Sequence, residues 1–158
     1  MSDELVYSHL DSQGEMRMVE VGEKPETMRR AVAQAHVRLS PDVRRSLLEG
    51  SLPKGDALAA VRLAGIMAAK RTSELIPLCH PLPLSGIEVR VVPSPEGVSI
   101  TAAVRTTART GVEMEAMVAV SVASLTLYDM VKGLDRGAVI GPIRLLEKTG
   151  GKSGDWRG

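Results

Sequence analysis

Phenylalanine is absent from these 158 residues, and aromatics make up only 2% of them, one Trp and two Tyr. The core must therefore be assembled from Val, Leu, Ile, Met and Ala. The same poverty argues against a platform for single-stranded nucleic acid, which needs aromatic faces on which bases stack. One cysteine, Cys79, excludes an internal disulfide and any multi-cysteine metal cluster, and suits a reducing cytosol. An excess of either charge is lacking too. With 20 basic against 19 acidic residues the net charge is +1, so no global field draws the chain to nucleic acid or a membrane surface. No basic-then-apolar leader opens the sequence, and no apolar run approaches the ~20 residues of a bilayer span. These absences point to a cytoplasmic protein of one domain, residues 1–158, long enough to bury a real core.

What is present centres on residues 109–136, RTGVEMEAMVAVSVASLTLYDMVKGLDR. Thr110 and Glu113 have the spacing of a capping box, and a run of apolar and small residues follows. Near its end Asp129 and Lys132 lie three apart, which on a helix means one face. Leu125, Leu127, Met130, Val131 and Leu134 surround them and leave little room for a solvated face. Ionisable groups on a buried helix are paired or used. The segment is predicted to be a catalytic helix, against the plainer reading of a solvated intrahelical ion pair.

The flanking chain supplies its support. Residues 1–26 are predicted to form a loosely held arm, with a short apolar alternation over 16–21. Strict alternation over 29–39 marks a strand with Ala31, Ala33, Ala35, Val37 and Leu39 on one face. Ser40-Pro41-Asp42 starts a short helix that Gly50 closes. After the Pro/Gly loop carrying Lys54, Asp56 caps a helix to about Glu74, apolar nearly all round except at Arg62. A helix without a polar face is covered on both sides, and in so small a chain the second cover is another subunit. Residues 75–85, LIPLCHPLPLS, contain three prolines and can be neither helix interior nor central strand. Strands follow at 87–92 and 98–106, joined by a turn over 93–97, and another at 139–147 precedes a glycine-rich tail, 148–158. Strand, helices, strand, strand, helix, strand is the order of an α+β, ferredoxin-like split βαβ sandwich, an antiparallel sheet with helices on one face.

Several further residues carry chemistry. Prolines beyond His80 stiffen its loop and favour a ligand contact, whereas Cys79 reads as an ordinary buried thiol. As metal ligands the two are poor: adjacent residues converge badly on one ion, and only His9 and His36 could add imidazoles. Glu113 reads first as a cap. Glu115, with the free N–H groups of the first helical turn, suits a polar heterocycle. Lys54 in PKGD and Lys148 and Lys152 in EKTGGKSG sit beside glycines, as anion contacts do. The tail is no P-loop, because Leu146 stands where the first glycine belongs and no helix follows. It remains a candidate to fold over a phosphate, against a disordered terminus.

Four blocks carry a resemblance: LPKGD (52–56), AGIMAAKRTSELIPLCHPLPL (64–84), TGVEMEAMVAVSVASLTLYDMVK (110–132) and RLLEKTGGKSG (144–154). Together with HLDSQGEMRMVEVGEK (9–24) they closely resemble the MoaC family, cyclic pyranopterin monophosphate synthases of molybdenum-cofactor biosynthesis, over nearly the whole chain. Glu20 stands where that resemblance leads one to expect aspartate. The resemblance implies a lyase acting on 3′,8-cyclo-7,8-dihydro-GTP, the product of a radical-SAM partner enzyme. The product would be cyclic pyranopterin monophosphate, with release of diphosphate. It implies Asp129 as the acid–base residue, Lys132 as its partner, and Lys54 reaching in from its loop. It also implies a substrate site lined by Leu78, Cys79, His80, Met114 and Glu115. No resident cofactor or protein-bound metal is implied, and Mg2+ would enter only with the triphosphate. The family's assembly would be a homo-hexamer, a trimer of dimers with each active site at a dimer interface. Two rivals stand beside this expectation: a nucleotide-sensing module that releases no diphosphate, and an RNA-binding domain of the same topology, which the missing aromatics disfavour.

Overall fold

The computed structural model describes residues 9–158, so the first part of the expected arm, residues 1–8, lies outside the described residues. Alternation with period two builds β1 (Thr27–Arg38), whose Ala31, Ala33, Ala35 and Val37 are fully buried. Pro41 opens α1 (Pro41–Glu49), and Gly50 ends it in the left-handed conformation, φ 70°, that glycine adopts without strain. Asp56 caps α2 (Ala57–Lys70), its carboxylate accepting from the Ala59 N–H at 2.9 Å. The predicted helix to Glu74 is interrupted at Arg71, after which α3 (Thr72–Leu75) supplies one further turn. The proline loop leads into β2 (Leu84–Ser94), which turns through two residues into β3 (Gly97–Ala108). Then come α4 (Glu113–Val131), β4 (Val139–Thr149) and a short β5 (Trp156–Arg157).

The strands run antiparallel in the order β2-β3-β1-β4-β5. Without β5 this is the ferredoxin-like order, with β1 and β3 central and β2 free at an edge. α4 packs on β1, β3 and β4, while α2 packs on α4 and β2. The inner sheet face meets Ala116, Ala119, Val120, Ala123, Leu127 and Val131 of α4, all fully buried. Alanine against alanine lets this helix approach the sheet closely, so a core without Phe still fills. Gly65 does the same between helices: a Cβ there would stand 3.2 Å from the Ala119 carbonyl oxygen and 3.4 Å from the Ala123 methyl.

Two expectations need correction. Thr110 does not cap α4; the N-cap is Val112, which makes no side-chain capping hydrogen bond. The Glu113 carboxyl instead folds back over Gly111, into space that a Cβ would fill. Second, α4 is long and apolar enough for a bilayer span by length and composition, contrary to the expectation that no run comes near it. Its buried face is the central layer of the core, and that explains its composition. Of the two readings left open for the tail, the disordered terminus is the one that falls: β5 pairs with β4, and the Gly158 N–H bonds the Leu146 carbonyl at 3.0 Å.

Candidate active site

The two ends of α4 carry separate groups of candidate residues. At its C-terminal end Lys132 Nζ lies 2.7 Å from Asp129 Oδ1, the i,i+3 pairing expected. Lys54 arrives from the loop before α2 and donates to Asp129 Oδ2 at 3.0 Å and to the Asp129 carbonyl oxygen at 2.6 Å. A lysine on a last-turn carbonyl also complements the negative end of the helix dipole. One carboxylate thus sits between two ammonium groups. Hydrogen bonds from Lys132 and then Lys54 hold the Asp129 carboxyl below its usual range, and Asp129 in turn raises the Lys132 ammonium. At neutral pH the acid is ionised and the amine protonated.

The expected burial of this pair is overturned. The side chains of Asp129 and Lys132 are 56% and 52% exposed. Leu127 and Val131 point into the core, whereas Leu125 and Asp129, four apart, share the face turned outward. Leu125 is exposed there, as are Leu63 and Met67 of α2.

At the other end of α4 a cleft of about 400 Å³ is lined by Leu78, Cys79, His80, Glu113, Met114 and Glu115, with Lys24 and Val19 from the N-terminal segment. His80 Nε2 lies 2.8 Å from the Val19 carbonyl oxygen. A carbonyl can only accept, so Nε2 donates this hydrogen bond. Burial, then the Glu115 charge, pushes the Cys79 thiol up, in keeping with its reading as an unactivated thiol. Glu115 is 4% exposed, and burial raises its carboxyl to about 7.

A second cleft of about 950 Å³ adjoins the first, the two sharing Lys24, Thr110, Gly111 and Glu113. Arg29, Arg109, Lys148 and Lys152 line it with Ser153, and Lys148 hydrogen-bonds Ser153 across the tail turn. Arg29 Nε is buried here without a hydrogen-bond partner. Lys148 and Lys152 were candidates from sequence. Lys24, Arg29 and Arg109 were not, because they come from an arm, a strand and a strand end that nothing in the linear order brings together. Among the described residues no three His, Cys, Asp or Glu side chains gather as a metal site.

All these residues do not meet on one chain. The helical rise from Glu115 to Asp129 is roughly 21 Å, so the triad of Lys54, Asp129 and Lys132 stands remote from both clefts.

Comparison with known proteins identifies the lineage. The profile described as the MoaC family matches residues 18–151. A Thermomicrobium roseum protein named cyclic pyranopterin monophosphate synthase is 57% identical over 152 residues, covering 95% of this chain and 92% of its own length. Proteins of the same name from a Nostoc species and from Streptomyces coelicolor are each 56% identical, covering 94% of this chain and 90% and 88% of their own lengths. With that profile covering most residues of both clefts and the whole Lys54–Asp129–Lys132 triad, the chain belongs to the MoaC family.

Proposed function

We propose that this chain is a cyclic pyranopterin monophosphate synthase, converting 3′,8-cyclo-7,8-dihydro-GTP to cyclic pyranopterin monophosphate and diphosphate in molybdenum-cofactor biosynthesis. The observation that carries this reading is the pairing of clefts. A half-apolar cleft bearing a histidine and a buried carboxyl suits a purine-derived ring. The adjoining cleft, lined by Lys24, Arg29, Arg109, Lys148 and Lys152, suits a triphosphate. The unpartnered Arg29 Nε is a donor that such an anion would satisfy.

The chemistry asks for proton transfers at the ring and for neutralised charge on departing diphosphate. Asp129, ionised, takes protons, and Lys132, protonated, supplies them. Lys54 holds the carboxylate in place. The cationic cleft orients the α-phosphate for attack by a sugar hydroxyl and stabilises the diphosphate that leaves.

Because triad and clefts lie at opposite ends of one helix, a complete site needs two copies. The exposed Leu63, Met67 and Leu125 form the apolar side of the helix layer on which a second copy would sit. A two-fold pairing sets the Asp129 end of one helix beside the Glu115 end of its mate, and three such dimers make the hexamer. The direct test is incubation of purified protein with the cyclic dihydro-GTP substrate, with diphosphate and the pterin product both assayed. Stoichiometric formation of the two supports the reading, and reversible binding without diphosphate would replace the enzyme by a nucleotide sensor.

A further inference from the structure

The glycine-rich tail, residues 148–158, contains a single acid, Asp155, two residues beyond the Ser153 that lines the cationic cleft. By charge alone a carboxylate so placed works against an anionic ligand. Asp155 does not line the cleft. Its Oδ1 accepts from the Gly150 N–H at 3.1 Å, closing the loop that brings Gly151, Lys152 and Ser153 to the cleft wall.

The loop needs such a closure. Gly150, Gly151 and Gly154 have positive φ, 87°, 83° and 69°, and glycine supplies these turns without stiffness. The approach to β1 is close: a Cβ on Gly150 would fall on the Met28 carbonyl oxygen, and one on Gly151 on the Arg29 guanidinium. Gly151 thus lies flat against the side chain whose Nε is buried without a partner. Among the described residues two side-chain hydrogen bonds close the loop, Asp155 to Gly150 and Lys148 to Ser153. A phosphate that engages Lys148 competes with the Ser153 hydroxyl, a weaker acceptor than an ionised oxygen. The Asp155 bond is then the one left to hold the loop while the cleft is filled.

We propose that Asp155 is a positioning residue for the phosphate end of the substrate: its bond to the Gly150 N–H latches the tail loop, keeping Gly151 on Arg29 and Lys152 at the cleft. The inference rests on the cleft being the triphosphate site, as proposed above, and adds a residue that acts on that site without touching the ligand.

Asp155→Ala and Asp155→Asn separate the latch from a bare charge. Both remove the negative charge, which by electrostatics alone tightens anion binding in each. Asn keeps a carbonyl oxygen that accepts from the Gly150 N–H, and Ala does not. The experiment compares both variants with wild type in KM and kcat, by formation of the pterin product from cyclic dihydro-GTP. It also compares their Kd for inorganic diphosphate, by calorimetry at fixed ionic strength. Asp155→Ala is expected to raise KM and Kd about two- to tenfold, the scale of one hydrogen bond, with kcat kept. Asp155→Asn is expected to bind at least as well as wild type. Equal weakening in the two variants, or an Asp155→Ala protein that binds as tightly as wild type or more so, overturns the inference. Wild-type protein that binds diphosphate but forms no pterin product contradicts the proposed function alone, and the Kd values then decide the latch. Wild-type protein that binds no diphosphate contradicts the cleft as a phosphate site and the latch with it.

Discussion

At the scale of single residues, the account depends on carboxyl groups in opposite environments. Asp129 is exposed and flanked by two ammonium groups, so it stays ionised; Glu115 is buried beside another acid and tends to keep its proton. Asp129→Ala and Lys132→Ala are each expected to lower kcat about a hundredfold or more, the usual loss for an acid–base group. Exposed ion pairs contribute little to stability, so the thermal midpoints of both variants should match wild type. Wild-type turnover in either variant would remove that residue from the mechanism. Glu115 makes a prediction about stability. Its folded carboxyl holds a proton up to about 7, against 4.5 for the free group. Between those values unfolding releases a proton, so wild-type stability should fall as pH rises through that window and level off above it, by up to about 3 kcal/mol. Denaturant midpoints of Glu115→Gln should lack this fall, and parallel pH profiles in the two proteins would contradict the assignment.

At the scale of elements, the helix layer depends on small residues where α2 crosses α4. A side chain at Gly65 would meet Val89 Cγ2 at 3.0 Å and the Ala119 carbonyl oxygen at 3.2 Å. Gly65→Val is therefore expected to destabilise the chain by about 1–3 kcal/mol, read as a lower urea midpoint, because neither the sheet nor α4 can move aside cheaply. An unchanged midpoint would mean that the crossing is looser than its packing. The strand order and the Asp56 cap were legible in the sequence because both are local signals, period-two alternation and a capping side chain three residues from its amide. Thr110 shows where local spacing misleads: it has the capping-box interval to Glu113, but the chain turns into α4 two residues later, at Val112. The exposure of Asp129 was illegible for another reason. An apolar helix shows that it is covered, and its sequence cannot tell whether its own sheet or another copy covers each side. The cationic cleft was half legible: the lysines beside glycines stood out, whereas Arg29 became a candidate only when the sheet set it next to Lys148 and Lys152.

At the scale of the whole molecule, the Lys54–Asp129–Lys132 triad and the paired clefts are kept apart by the length of α4, and the outer helix face between them is apolar. Leu125→Glu places a charge on that face without touching the chain's own core, since Leu125 is exposed. It is expected to leave the fold intact by circular dichroism while splitting the assembly in sedimentation and abolishing turnover. Unchanged sedimentation and activity would show that this face is not the seam. The most direct measurement of the central claim mixes two inactive proteins, Asp129→Ala and His80→Ala, exchanges their subunits, and follows diphosphate release from cyclic dihydro-GTP. If each site takes Asp129 from one copy and His80 from another, mixed dimers contain one intact site. Activity should then return to about a quarter of wild type. No recovery after demonstrated subunit exchange would contradict a site shared between copies.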